Sequence, residues 1–197
     1  MNKVNIINKD LSGFENLIGL SGILEDLLYE AVYVPEGMEP FPRDIIKIPE
    51  INAYINGFGS KKDDHCLVAE SNEKIIGAVW VRILSGKIKG YGFVDDETPE
   101  FAISLFKEYR NRGIGTLLMQ KMIEHLKGCG YAQTSLSVQK ENYAAEMYRK
   151  LGFEIIGENA EDYLMLLKLN SKDAVVNQDL SGFKNLIGLS DVAEIEK

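Results

Sequence analysis

The apolar positions of the chain recur with two periods, one helical and one strand-like, and their succession predicts an α/β fold. Ile6 and Ile7 read as the core of a short opening strand. Over residues 20–34, Ile23, Leu24, Leu27, Leu28, Ala31 and Val32 recur at helical spacing behind Ser21, a residue type suited to an N-cap, which predicts an amphipathic helix. Pro35, Pro40 and Pro42 break regular structure, and residues 48–58 then read as a second, shorter helix. Apolar runs at 66–69 and 75–84 flank a polar stretch at 70–74 and predict a hairpin. A loop rich in Gly and acid, 86–97, leads into a strand at 101–106. Ile114, Leu117, Leu118, Met122, Ile123 and Leu126 line one side of a helix over 113–127, with Gly128 and Gly130 as stop signals. A strand at 134–138, a helix at 142–151 and strands at 153–156 and 163–169 complete the predicted order β-α-α-β-β-β-α-β-α-β-β.

Composition narrows the class. A chain of 197 residues, 45% hydrophobic and 26% charged, can build one domain with a substantial core. Its longest apolar runs, such as 75–81, fall far short of the ~20 residues of a membrane span. The N-terminal residues lack the basic segment and apolar core of a signal peptide, so a cytoplasmic location without a membrane partner is expected. The net charge of −8 argues against nucleic acid as a partner, because phosphate contacts need a basic surface. Cys66 and Cys129 are too few for a disulfide framework, and both are expected to be buried, reduced thiols. His125 and Cys129 are spaced for one helix face, but two ligands do not complete a site, so no metal is expected.

One feature is a duplication. The stretch NKDLSGFENLIGLS at 8–21 returns as NQDLSGFKNLIGLS at 177–190, differing only at Lys9/Gln178 and Glu15/Lys184. Its separation is far too long for a solenoid repeat. The chain therefore divides into a domain at 1–170 and a C-terminal extension at 171–197. Either the second copy docks where the first does in a neighbouring protomer, which favours a homodimer, or it is a poorly packed tail.

The candidate chemistry begins at Arg110-Asn111-Arg112-Gly113-Ile114-Gly115, between a predicted strand and a predicted helix. Glycines let a phosphate approach the backbone, free N–H groups at the helix start donate to its oxygens, and the helix dipole adds positive potential. Lys107, Arg110, Arg112, Lys121 and Lys127 outnumber Glu108 and Glu124 in this segment. The GxxxxGK[ST] of a P-loop is absent, and Leu118 stands where a dinucleotide loop needs glycine or alanine.

The pattern Arg110-x-x-Gly113-x-Gly115 resembles the acyl-CoA loop of the GNAT superfamily of acetyltransferases. Asn142-x-x-Ala145-x-x-Tyr148-x-x-Leu151-Gly152-Phe153 is similar to the superfamily's second block. Tyr33-Val34-Pro35-Glu36-Gly37 and Gly90-Tyr91-Gly92-Phe93-Val94-Asp95 resemble a bacterial branch of it. The resemblance implies a mixed central sheet flanked by helices, and an N-acetyltransferase that moves the acetyl group of acetyl-CoA directly to a primary amine. A non-catalytic acyl-CoA sensor on the same fold is the alternative, and a pure interaction protein a third. It further implies that Leu105 and Phe106 lend backbone groups to the pantetheine arm, that Arg110, Asn111, Arg112, Gly113, Ile114, Gly115 and Thr116 wrap the pyrophosphate, and that Asn142 contacts the cofactor. Lys107, beside this loop, stands where a proline is common, and Asn111 where a glycine is common.

By the same resemblance Tyr148 is the general acid, since a phenol beside the sulfur can protonate the departing thiolate. The attacking amine must be neutral, which calls for a base. Glu100, at the head of the strand that supplies the cofactor contacts, is the candidate, with Asp95, Asp96 and Glu97 as rivals. The acceptor is expected under residues 33–43, lined by Tyr33, Phe41 and the carboxylates Glu36 and Glu39, whose acidic and aromatic character suits a cationic amine.

Overall fold

The computed structural model describes residues 4–8 and 14–169. Both sequence blocks that carry the resemblance fall inside it, whereas the second copy of the duplicated stretch lies outside the described residues. The strands are β1 (Val4–Asn8), β2 (His65–Ser71), β3 (Lys74–Arg82), β4 (Glu100–Leu105), β5 (Gln133–Gln139), β6 (Glu154–Glu158) and β7 (Asp162–Lys168). The helices are α1 (Phe14–Ala31), α2 (Pro49–Asn52), α3 (Ile114–Gly128) and α4 (Ala144–Lys150), in the order that the periodicity predicts. They flank one seven-stranded sheet ordered β1-β2-β3-β4-β5-β7-β6. Every neighbouring pair is antiparallel except β4 and β5, which run parallel and meet at one pair, Glu100 opposite Ser135.

The sheet has a core on each face. One contains Leu118, Met119, Met122 and Leu126 of α3 packed with Val79, Phe101, Leu136 and Met165. The other contains Leu24, Leu27 and Leu28 of α1 with Tyr54, Phe58 and Trp80. Because β3 crosses both, its last seven residues are buried. The hairpin joining β2 to β3 turns on Asn72 and Glu73, both at positive φ (51° and 61°), the geometry of a two-residue turn that matches strand twist. Gly130, at φ 84°, ends α3: its N–H reaches the Lys127 carbonyl and the Tyr131 N–H reaches that of Leu126, a Schellman cap.

Three expectations need correction. The helix predicted from residue 20 begins at Phe14, so Ser21 lies within α1 and not at its cap; Phe14, Leu17 and Leu20 extend the apolar spacing backwards. The second helix stops at Asn52, where the predicted one ran on to 58. Arg82 Nη1 draws the carbonyls of Ala53 and Asn56 (2.8 and 2.9 Å), and Gly57 and Gly59 take left-handed φ of 60° and 86°. Finally, Cys66 is buried but Cys129, just beyond α3, is exposed.

The Arg82 guanidinium that shapes this segment is itself buried against Asp64, with Nε–Oδ1 at 3.1 Å and Nη2–Oδ2 at 3.2 Å. Asp64 Oδ2 also accepts the Gly59 N–H at 2.8 Å, so one carboxylate holds both the strand and the turn. Asp64→Asn keeps the shape but removes the charge opposite Arg82. It is expected to lower unfolding free energy by roughly 2 kcal/mol in a denaturant titration.

Candidate active site

The single pairing of β4 with β5 creates the site. The Ser135 N–H donates to the Pro99 carbonyl (3.0 Å) while the Phe106 N–H donates to Ile76 of β3 (3.1 Å). By the alternation of a strand, the odd-numbered residues of β4 therefore aim their peptide groups at β5 and the even-numbered ones at β3. Past Glu100 no β5 residue pairs with β4, so the peptide groups of Ile103 and the N–H of Leu105 border the gap. Phe106 is different, because its N–H serves Ile76 and its carbonyl accepts the Tyr109 N–H (2.9 Å). Of the two residues expected to lend backbone groups, only Leu105 offers its N–H there.

The start of α3 faces the same region. Gly113 caps it at φ 78°, a left-handed value that favours glycine, and the first intrahelical bond runs from the Leu117 N–H to the Gly113 carbonyl (3.1 Å). The N–H groups of Ile114, Gly115 and Thr116 precede that bond and are available to an anion. Asn111 also has positive φ (59°), which asparagine tolerates better than most residues, and this explains how it replaces a glycine. Gly115 packs against β4: a Cβ there would sit 3.6 Å from Leu105 Cδ1 and 3.9 Å from Ile103 Cδ1.

The cations of the loop divide their roles. Arg110 turns its guanidinium inward, donating to the Leu105 carbonyl (2.9 Å), the Glu30 carbonyl (3.0 Å) and the Glu30 carboxylate (2.7 Å). It thus pins the loop to β4 and to the end of α1. Arg112 is exposed with its guanidinium 5.8 Å from the Tyr109 ring centre, and Lys107 is exposed beside it. These two are the loop cations that face solvent. Asn142 accepts the Ala144 N–H on Oδ1 (2.9 Å), an Asx turn that leads into α4 and leaves Nδ2 as its donor.

At the apex of the splay stands Glu100, with 2% of its surface exposed. Oε1 accepts the Tyr54 hydroxyl and the Gly92 N–H (2.6 Å), while Oε2 is buried with no partner. Burial raises the carboxyl from 4.5 to about 7, although the bonds from Tyr54 and Gly92 pull the other way. At positions 90 and 92 the loop over it has no room for a side chain: a Cβ on Gly90 would lie 2.0 Å from Oε2, and one on Gly92 2.8 Å from both Oε1 and the Leu136 backbone. Ser135, the residue paired with Glu100, points to the same face and also has a buried, unpartnered oxygen. The rival carboxylates differ. Asp95 closes a turn with Thr98 and Glu97, and the Thr98 hydroxyl holds it below the usual carboxylate range. Asp96 pairs with Lys89 at 2.9 Å, and Glu97 is exposed.

Tyr148 is buried on α4, its ring 6.0 Å and edge-on to Phe153, which meets Phe101 in the same way at 6.0 Å. This stack ties α4 to the residue that follows Glu100. The Tyr33 hydroxyl donates to the Glu141 carbonyl (3.2 Å), joining residues 33–43 to the segment before Asn142, and the Tyr29 hydroxyl donates to the Phe41 carbonyl (2.6 Å). Glu36 and Phe41 lie on the exposed rim. Tyr54 and the Gly90–Gly92 cradle escaped sequence reasoning as site components. The glycines were visible as a motif, but nothing marked Tyr54.

Among solved structures, a GNAT-family acetyltransferase from Streptococcus pneumoniae superposes with a TM-score of 0.56 at 22% identity, covering 84% of this chain and 99% of that one. The PaiA N-acetyltransferase of Thermoplasma acidophilum, in complex with coenzyme A, gives 0.57 at 21% identity over 84% and 99%. Mutant forms of the spermidine/spermine N-acetyltransferase SpeG from Vibrio cholerae give 0.54 at 18% over 85% and 95%. These likenesses establish the fold. Residues 24–153 match the model of the acetyltransferase (GNAT) family, and with more than half its length so matched the chain belongs to that family of acyltransferases.

Proposed function

We propose that the chain is a cytoplasmic N-acetyltransferase that moves the acetyl group of acetyl-CoA directly to a primary amine within a ternary complex. The observation that carries this reading is the apex of the splay, where a buried carboxyl raised to about 7 heads the open edge of β4. The residues fit the cofactor: three N–H groups at the start of α3, the rim cations Lys107 and Arg112, the Leu105 N–H and Asn142 Nδ2 are donors for an elongated anion. Neighbours of this fold include one described with coenzyme A and one with acetyl-CoA.

Bound in the gap, acetyl-CoA supplies a thioester, and attack by the amine forms the C–N bond as the C–S bond breaks. The Leu105 N–H polarises the thioester carbonyl. Glu100 takes the amine proton through water, near its unpartnered Oε2 and Ser135 Oγ, while the Tyr148 hydroxyl donates towards the leaving sulfur. The amine enters beneath residues 33–43. Tyr33 fixes that segment, and the exposed Glu36 and Phe41 offer a cationic amine negative charge and apolar contact.

The test is thiol release from acetyl-CoA with a panel of primary amines that includes spermidine, the amine named for one structural neighbour. Amine-dependent release with the acetyl group recovered on nitrogen is expected. Tight acetyl-CoA binding without release for any amine would instead identify an acyl-CoA-binding module.

A further inference from the structure

We propose that His65, His125 and Cys129 form a site for a borderline divalent transition-metal ion, Zn(II) being the type ion, remote from the acetyl-transfer gap. The three ligand atoms lie within 4.8 Å of one another. They come from the first residue of β2, the last turn of α3 and the residue that caps α3. Eleven residues along α3 separate Ile114 from His125, which is about 16 Å of helix, so the cluster stands far from the proposed phosphate end.

Two of the three spacings are those of ligands around one ion. With metal–nitrogen bonds of about 2.0–2.1 Å and a metal–sulfur bond of about 2.3 Å, a tetrahedral ion holds two nitrogens about 3.3 Å apart and a nitrogen and sulfur about 3.6 Å apart. His65 Nδ1 and His125 Nε2 are separated by 3.1 Å, and Cys129 Sγ and His125 Nε2 by 3.6 Å. The remaining pair, Cys129 Sγ and the His65 ring nitrogen, lies within 4.8 Å.

The surroundings prepare the ligands. The Schellman cap at Gly130 fixes the backbone of Cys129 one turn after His125, and the carboxyl end of a helix favours a cation. The Tyr131 hydroxyl holds the Asp63 carboxylate (2.6 Å), placing negative charge beside His65. The fourth position is left to water. Binding releases the Cys129 thiol proton to solvent and joins β2 to α3 through the ion.

Reduced, chelator-stripped full-length protein titrated with Zn(II) in a calorimeter, and with Co(II) by absorption, tests this. One equivalent is expected, and the Co(II) form should show a thiolate charge-transfer band together with intense d–d bands of tetrahedral coordination. Cys129→Ser should abolish the charge-transfer band, and His65→Gln or His125→Gln should weaken Zn(II) at least about 100-fold. Zn(II) should also raise the thermal midpoint of the wild type and not of Cys129→Ser, whose exposed side chain leaves the fold intact. Absence of stoichiometric binding, or Zn(II) binding by all three variants as tight as that of the wild type, would overturn the site.

Discussion

Glu100→Gln is expected to lower kcat by about two to three orders of magnitude while leaving acetyl-CoA affinity nearly unchanged. Glutamine is isosteric and its carbonyl oxygen can still accept the Tyr54 hydroxyl and the Gly92 N–H, so the loop over Gly90 and Gly92 keeps its anchor. Only the capacity to accept a proton is lost. In the wild type, activity should fall as pH drops below about 7, where the carboxyl becomes protonated, and this acid limb should vanish in the variant. If Glu100 merely clamps the loop, the variant will retain its kcat and the acid limb will persist.

The same residue predicts a stability difference of opposite sense. A carboxyl raised from 4.5 in the unfolded chain to about 7 in the folded one binds more protons when folded, so folding stability contributed by this group declines as pH rises between those values. The decline amounts to roughly 3 kcal/mol at most. Glu100→Gln removes it, so the variant's thermal midpoint should match the wild type near pH 4 and exceed it at pH 8. A more stable but inactive variant at pH 8 would separate a proton-transfer role from a packing role in one preparation.

Much of this arrangement is legible along the chain because it is local. Period 3.6 in α3 and α4, apolar runs in β2 and β3, and the glycines at 113 and 130 each act within a few residues, and the element order follows from them. The loop from Arg110 to Gly115 is local in the same sense, which is why Gly113 and Gly115 are legible as a motif. The remainder depends on long-range partners. Tyr54 meets Glu100 across 46 residues, Arg110 meets Glu30 across 80, and Arg82 ends α2 from 26 and 29 residues away. His65 meets His125 across 60 residues, so the spacing of His125 and Cys129 at the end of α3 gives no hint of a third residue beside them. The special character of Glu100 also required the register of β4 against β5, since a parallel contact of one residue pair leaves no periodic trace.

Tyr148→Phe is expected to reduce kcat by about 100-fold and to change the dissociation constant of acetyl-CoA little. The ring contacts with Phe153, and through it with Phe101, survive this substitution, so any loss belongs to the hydroxyl. Burial pushes that hydroxyl above its ordinary value of 10, which has two consequences. It remains protonated through neutral and mildly alkaline pH, so an alkaline limb below pH 10 would have to come from another group. It is also a weaker acid than a thiol of pKa about 8.5, so complete proton transfer to the departing sulfur is uphill. In the proposed reaction the hydroxyl would therefore act chiefly by donating a hydrogen bond to the developing thiolate, and a loss near the lower end of the general-acid range is the corresponding magnitude. Single-turnover thiol release under saturating amine isolates this step from binding. An unchanged rate in Tyr148→Phe would reduce Tyr148 to a packing residue and move the proton donor to water.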